Sequence, residues 1–441
     1  MPETRRIRTA AGGRAARCKA CFPERRSPEI LYFRFPPHCG EYKKRGYFEN
    51  PRKGVNELLI INAHILPMVG EEIAQGFLQI ENGKIVSLGP MAEVPADGER
   101  YDAAGALALP GFIDAHCHLG VCGDGLGIEA DECNEMSDPV TPQLRAIDGV
   151  NPMDRCFAEA AAAGVTCVLT GPGSANAIGG QFIAMKTAGR RIDDLCVRFP
   201  GCMKFALGEN PKMTYGEKRE TPMTRMATAA LIREELYKAQ EYMDKRARAE
   251  TDPDADAPDY DAKLEALVPV LRREVPAHFH AHRADDMLTA IRIAREFDLD
   301  YVLVHGTEGH LIADILAAEG ARVICGPLLT DRSKPELSHQ TIENPARLAR
   351  AGIPVAICTD HPELPIQYLP LSAAMAVRAG LDKTAALRAI TIDAARLAGV
   401  ADRVGSLEAG KDADIVLCSA HPFSMDCTIQ AVFIDGKQIG V

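Results

Sequence analysis

Three histidine-bearing stretches, one lysine and one aspartate hold the chemistry legible in this chain. His116-Cys117-His118 sets two imidazoles two residues apart. In a strand, residues i and i+2 point the same way, so both rings can converge on one cation. Lys204 follows in Met203-Lys204-Phe205-Ala206-Leu207-Gly208-Glu209, then His280 in Phe279-His280-Ala281-His282, His305 in Leu303-Val304-His305-Gly306, and Asp360 in Ile357-Cys358-Thr359-Asp360. Imidazole and carboxylate groups are ligands for divalent metals, Zn²⁺ among them. A bound Zn²⁺ lowers the pKa of water from about 15.7 to about 7 and polarises carbonyls, which is the chemistry of hydrolysis. Nucleophile chemistry has no comparable support: no Gly-x-Ser-x-Gly elbow occurs and the cysteines are scattered. Lys186-Thr187 lacks the preceding glycine of a phosphate-binding P-loop.

These residues need a frame that brings them to one place. Between about 110 and 400, short apolar runs recur at Phe112–Ile113, Val165–Leu169, Tyr301–Val304, Val323–Cys325 and Val355–Cys358. Helical stripes separate several of them: Met287, Ile291 and Ala294 on one face, and Leu311, Ile312, Ile315 and Leu316 on another. Alternation over nearly 300 residues predicts βα units, a parallel sheet and, at this size, an α/β (β/α)8 TIM-like barrel. The C-terminal strand ends of such a barrel share one face, so the histidines, Lys204 and Asp360 can meet over one opening. Residues 211–275 read as an excursion between two strands, helical over about 224–249, with a solvated acidic linker around Asp252, Asp254, Asp256 and Asp259.

The predicted fifth barrel strand, around Phe279, places His278, His280 and His282 on one face, and each is a possible ligand by type. Taking His280 as the ligand leaves His282 and Arg283 at the loop opening the next helix, where imidazole and guanidinium can hold a carboxylate. His278 then lies deeper, in a structural place. Gly171-Pro172-Gly173-Ser174-Ala175-Asn176 and the following Gly179-Gly180-Gln181 form either an anion cradle or a tight connection. Gln181, Tyr215, Arg225 and His361 complete the candidate substrate contacts.

The text Leu-Pro-Gly-Phe-Ile-Asp-Ala-His-Cys-His (109–118), Val-His-Gly-Thr-Glu-Gly-His (304–310), Thr-Asp-His-Pro (359–362) and the closing Gly-Ser-Leu-Glu-Ala-Gly-Lys-Asp-Ala-Asp (405–414) resembles the amidohydrolase superfamily, nearest its imidazolonepropionase and prolidase-like branch. The resemblance covers about 57–441. It implies that His116 and His118 are first-strand ligands of the more buried metal, that His280 and His305 are the fifth- and sixth-strand ligands, and that Asp360 binds metal and shuttles the proton. It implies a carboxylated, metal-bridging role for Lys204, since a carbamate offers anionic oxygens where an ammonium would repel cations. Glu209 is the rival for that role. The activity implied is hydrolysis of a C–N bond in an amide, peptide-like or cyclic amide substrate, with one or two divalent metals. The alternatives are a mononuclear deaminase or cyclic-imide hydrolase on the same scaffold, and a non-catalytic scaffold protein.

Strand texture also marks both ends of the chain. Leu58–Ile61, Phe77–Ile80 and Lys84–Leu88 near the start, with a Glu81-Asn82-Gly83 turn, are matched by Asp414–Leu417 and Ala431–Ile434 near the end. They predict one small β-sandwich built from 56–109 and 401–441, beside a metal-dependent barrel at 110–400. Residues 1–55 stand apart as a basic N-terminal extension, read as a disordered arm or as lying outside the native product, with translation starting downstream. Its Cys18-Lys-Ala-Cys21 pair, with His38 and Cys39, fits no standard zinc spacing. The extension holds 14 Lys+Arg against 5 Asp+Glu, leaving 36 basic and 56 acidic residues, a net −20, in the remainder. That acidic body argues against nucleic acid or anionic membrane as the main partner and favours a small-molecule substrate. Homo-oligomerisation is compatible with it. No apolar stretch spans a bilayer, and 14 cysteines without a signal peptide fit a cytoplasmic setting.

Overall fold

A computed structural model describes residues 57–123 and 127–440. The zinc-knuckle reading, the basic extension and the centre of the Gly123–Gly127 loop lie outside the described residues. Lys186 Nζ bonds Asp414 Oδ2 at 2.6 Å and so links the strand Ile183–Lys186 to the sheet shared by both ends of the chain.

Strands from both ends of the chain share one sheet. Its order is Lys437–Ile439, Ile429–Ile434, Ile415–Cys418, Leu107–Pro110, Glu57–Ile65, Ile73–Glu81, Lys84–Pro90, with Glu99–Asp102 also paired to Glu57–Ile65. The fusion occurs at Leu107–Pro110, which runs parallel to Glu57–Ile65 and antiparallel to Ile415–Cys418, with Leu417 opposite Ala108. Asn82 and Gly83 both take positive φ, 51° and 80°, the requirement of a two-residue hairpin turn that matches strand twist. The sheet curls over a core of Ile60, Leu78, Ile85, Ile415 and Phe433, and Tyr101 meets Phe433 edge-on at 5.3 Å.

The middle of the chain is mixed α/β. Ile178–Gln181, Met203–Ala206, Ala277–Ala281, Tyr301–His305, Val323–Cys325 and Val355–Ile357 form a six-stranded sheet, parallel throughout except for its first pair. Phe112–Cys117, Val165–Thr170, Ile183–Lys186 and Cys196–Arg198 form a four-stranded one. Among the described residues no strand ladder joins the two sheets, but hydrogen bonds cross both gaps. On one side Asp360 N donates to His116 O and His118 N to His361 O; on the other Phe182 N donates to Cys202 O and Gly201 N to Phe182 O. Between the sheets lie Ile113, Leu169, Phe182, Val302, Val304, Ile324 and Ala356, all buried. Strands covered on both faces read as continuous apolar runs, as these do.

Helix Ala284–Glu296 buries Met287, Ala290, Ile291 and Ala294 against this layer. Of the second stripe, only Leu316 is buried: a 3-10 turn at Gly309–Leu311 breaks it before the short helix Ala313–Ala318, and Leu311 and Ile315 face solvent. The long helix Arg225–Thr251 is capped by Thr224, whose hydroxyl accepts from Ala227 N. It buries Ile232, Leu236 and Ala239 at helical spacing, and the chain beyond it leaves Asp252, Asp254, Asp256 and Asp259 exposed. Among the described residues no helix is long and apolar enough to cross a membrane.

Candidate metal centre

Parallel register is what gathers the site. Ala206 lies opposite His280, Ala281 opposite His305 and His305 opposite Cys325, so His280 and His305 sit at the C-terminal ends of their strands, with Lys204 two residues deeper on its own. His305 and Asp360 are non-glycine residues held at positive φ, 72° and 56°. Such conformations cost of order 1–3 kcal/mol and persist where the surroundings fix them, commonly at functional sites.

Two groups of metal-ligating type result. His116, His118 and Asp360 form one, and His280, His282 and His305 the other; in each, the offered atoms lie within 4.8 Å of one another. Asp360 Oδ1 is 3.2 Å from His118 Nε2 and 3.6 Å from His116 Nε2. Lys204, fully buried, places Nζ 3.1 Å from His116 Nε2. Phe182 floors this part of the site, stacked on His116 at 5.2 Å with Lys204 Nζ 5.5 Å from its ring centre.

The outer nitrogens of four histidines are fixed by the fold. Nδ1 of His118 meets Gly171 O at 2.7 Å and Nδ1 of His305 meets Gly326 O at 2.7 Å. A carbonyl only accepts, so both Nδ1 atoms carry the proton and both Nε2 lone pairs are free. His280 Nδ1 is 2.9 Å from Ser174 Oγ, and His282 Nδ1 is 2.7 Å from Thr307 Oγ1, which permit the same tautomer. This is the arrangement by which metal-ligating histidines are oriented.

Electrostatics agree with that picture. Burial holds the imidazoles of His116, His280 and His282 far below the usual histidine range, and brings His305 to about 4, so all four are neutral and able to donate a lone pair. Burial alone would raise the Asp360 carboxyl, but His305, His118 and Lys204 outweigh it and hold the group below the usual carboxylate range. Burial lowers Lys204 to about 8. His116 Nδ1, Asp360 Oδ1 and Glu336 Oε1 are buried without a hydrogen-bond partner. Orphaned polar atoms of this kind, among neutral imidazoles and an ionised carboxylate, fit divalent cations.

The other sequence-picked residues are placed as follows. Glu209 opens helix Glu209–Gly216, where its Oε2 accepts from Glu336 N at 3.4 Å and its own N donates to Glu336 Oε2 at 2.9 Å, outside both groups. Arg283 turns outward and bonds Asp285 through Nε and Nη2, while His282 joins the second group. Arg225 Nε donates to the buried Asp286, Tyr215 Oη to Asn176 Oδ1 at 2.6 Å, and Gln181 Nε2 to Pro142 O at 3.2 Å. His361 is buried beside Asp360, its N donating to Thr359 Oγ1. His278 is fully buried, and burial brings it to about 3.

Several contributors escaped the sequence reading. Asp114 accepts from Thr359 N at 3.0 Å, Thr359 Oγ1 at 2.5 Å and His116 N at 3.2 Å, so it clasps the first and last strand ends together. Its place two residues before His116, on the same face, was the available signal. Ser174 lies in the loop read as either an anion cradle or a tight connection, and its hydroxyl meets His280 Nδ1. Thr307 and Glu336 sit in polar loops with no periodicity to mark them.

A model of the amidohydrolase family matches residues 107–439. Amidohydrolase tasK of Hapsidospora irregularis is 31% identical over 390 residues, 82% of this chain, although the match takes in only 39% of that longer protein. Imidazolonepropionase of Cupriavidus necator is 28% identical over 394 residues, covering 81% of this chain and 88% of that one. The crystal structure of an amidohydrolase from Thermotoga maritima superposes with a TM-score of 0.84 at 42% identity, covering 87% of this chain and 99% of the other. The match spans both ligand groups and the strands that carry them, and the chain belongs to the amidohydrolase family, hydrolases that act on carbon–nitrogen bonds.

Proposed function

We propose that this chain is a metal-dependent hydrolase of a C–N bond in an amide, peptide-like or cyclic amide substrate. The observation that carries the proposal is the convergence of two groups of metal-ligating type, His116, His118 and Asp360 in one and His280, His282 and His305 in the other, the first holding an ionised carboxylate. The proposal includes a (β/α)8 barrel over about 110–400, supported by the hydrogen bonds across both sheet gaps, and a β-module from 56–109 and 401–441. A cytoplasmic setting is part of it, in keeping with cysteines that are all free among the described residues.

His116, His118 and Asp360 would hold one cation, and His280 with His305 a second. A divalent cation there, Zn²⁺ by the nature of the donors, would supply Lewis acidity that polarises the scissile carbonyl and acidifies a water. Lys204 would join as a carbamate. Its burial makes the neutral amine that reacts with CO2 accessible near neutral pH, and its Nζ already faces His116. The Asp360 carboxylate, ionised and 3.2 Å from His118 Nε2, is placed to take a proton from the attacking water and to return it to the leaving nitrogen. Asp114 fixes the backbone of Thr359 and His116, so acid–base group and ligand stay in register. The resemblance to the imidazolonepropionase and prolidase-like branch supports an amino-acid-derived substrate.

The test is hydrolysis of N-acyl amino acids, Xaa-Pro dipeptides and cyclic ureides by the full chain, before and after removal of metal. Turnover of at least one class, lost on chelation and restored by Zn²⁺, is expected. Turnover that survives complete metal removal would overturn the proposal.

A further inference from the structure

We propose that Glu336 and His282 are ligands of the second cation, so that His280, His282, His305 and Glu336 form a four-donor site complete without Lys204. This assignment rests on the metal-centre reading above and adds to it two ligands from outside the expected set.

Glu336 lies on the 3-10 turn Pro335–Leu337 and is 1% exposed. Its Oε2 is fixed by the backbone N–H of Glu209 at 2.9 Å, and that bond aims the other oxygen into the site. Oε1 has no hydrogen-bond partner. It lies 3.7 Å from His282 Nε2 and 4.0 Å from His280 Nε2, the nitrogens that the Ser174 and Thr307 anchors leave facing inward. These separations are too long for direct hydrogen bonds. In the tautomer with Nδ1 protonated, which the Ser174 and Thr307 hydroxyls permit, both Nε2 atoms turn lone pairs toward a carboxylate oxygen inside a buried space, with Asn210 Nδ2 3.4 Å from His280 Nε2 as the amide donor beside them. Such an arrangement is unfavourable unless something positive sits among the three atoms.

Among the described residues, the two lysines whose charge reaches His280 and His282 are committed elsewhere. Lys204 Nζ is against His116, and Lys334 Nζ donates to Asn210 Oδ1 at 3.0 Å. The remaining imidazole, His305, stacks on His282 with centroids 4.5 Å apart and has its own Nε2 free because Gly326 O holds Nδ1. Three imidazoles and one carboxylate form a donor set suited to a four-coordinate divalent transition cation.

The experiment titrates Co²⁺ into metal-stripped full-length protein, reading bound metal by equilibrium dialysis and the ligand-field absorption of the cobalt. Wild type should take up two equivalents. Glu336→Gln preserves the side chain's shape and an acceptor for Glu209 N. Loss of an outer partner of a ligand typically costs about 10–100-fold in metal affinity, so loss of a ligating carboxylate should weaken the second equivalent by at least about 100-fold. The first equivalent should be unchanged, and Lys204→Ala should retain the Glu336-dependent one. His282→Asn should reproduce the Glu336→Gln result, and decides the matter if Glu336→Gln fails to fold by circular dichroism. Two equivalents bound with wild-type affinity in the folded variant overturns this assignment and leaves the metal-centre reading standing. A single equivalent in wild type, kept by the variants, also overturns it. No uptake by wild type overturns both.

Discussion

Replacing Lys186 with methionine should destabilise the protein by about 3–5 kcal/mol, the cost of leaving a buried charge without its partner. Lys186 is 2% exposed, and its Nζ lies 2.6 Å from Asp414 Oδ2, 3.0 Å from Asp412 Oδ2 and 3.2 Å from Asp435 Oδ1. The three carboxylates do not suffer equally. Asp412 keeps Arg403 at 2.7 Å and Lys84 at 2.5 Å, and Asp435 is half-exposed. Asp414, fully buried, keeps only the backbone N–H of Asp435 at 3.0 Å. The penalty is therefore that of one stranded carboxylate. By the size scaling of unfolding entropy, it should lower the melting temperature by about 3–10 °C.

The pH dependence follows from the sign of the shift at Asp414. Burial raises its pKa above the ordinary 3.8 even with Lys186 present, and removing the lysine raises it further. A carboxyl raised in the folded state costs stability above its folded pKa and nothing below its unfolded one. The deficit of Lys186→Met should thus be full at pH 8 and shrink as pH falls toward 4. Lys186→Met/Asp414→Asn should regain most of the loss, because the two residues couple directly. Thermal melts of the three variants at pH 8 and pH 5 provide the check. A shift of less than 1 °C for Lys186→Met, or a deficit that grows on acidification, would refute the reasoning.

Asp360→Asn should lower turnover by roughly 10² or more, the scale of general acid–base catalysis, with a near-normal melting temperature; retention of most activity would remove Asp360 from that role. Lys204→Ala should lose most activity, with partial rescue by short carboxylic acids, whereas Glu209→Gln should keep wild-type metal content as measured by elemental analysis. Metal loss confined to Glu209→Gln would transfer the role to Glu209.

The parts of the site set by strand periodicity were legible in the sequence. His116, His118, His280 and His305 sit at the ends of apolar runs, and a period of two already puts the paired histidines on one face. The turn at Asn82-Gly83 was legible because it depends on residues adjacent in the chain. What could not be read depends on side chains meeting across loops. Arg283 and His282 are neighbours in sequence, yet the helix that starts at Ala284 sends the guanidinium to Asp285 while the strand end keeps the imidazole inside. Ser174, Thr307 and Glu336 act through contacts 106, 25 or more than 50 residues away, and nothing in their own flanking sequence records the partner. The stripe at Leu311–Leu316 shows the opposite failure, an apolar pattern that a 3-10 turn leaves half in solvent.

Activity measured as Zn²⁺ is returned in steps to the metal-stripped full-length protein tests the central claim most directly. With a substrate found in the C–N bond panel, hydrolysis should be absent at zero metal and rise with bound Zn²⁺ until two equivalents per chain are occupied. Full activity in the stripped protein, or activity that ignores occupancy, would contradict it.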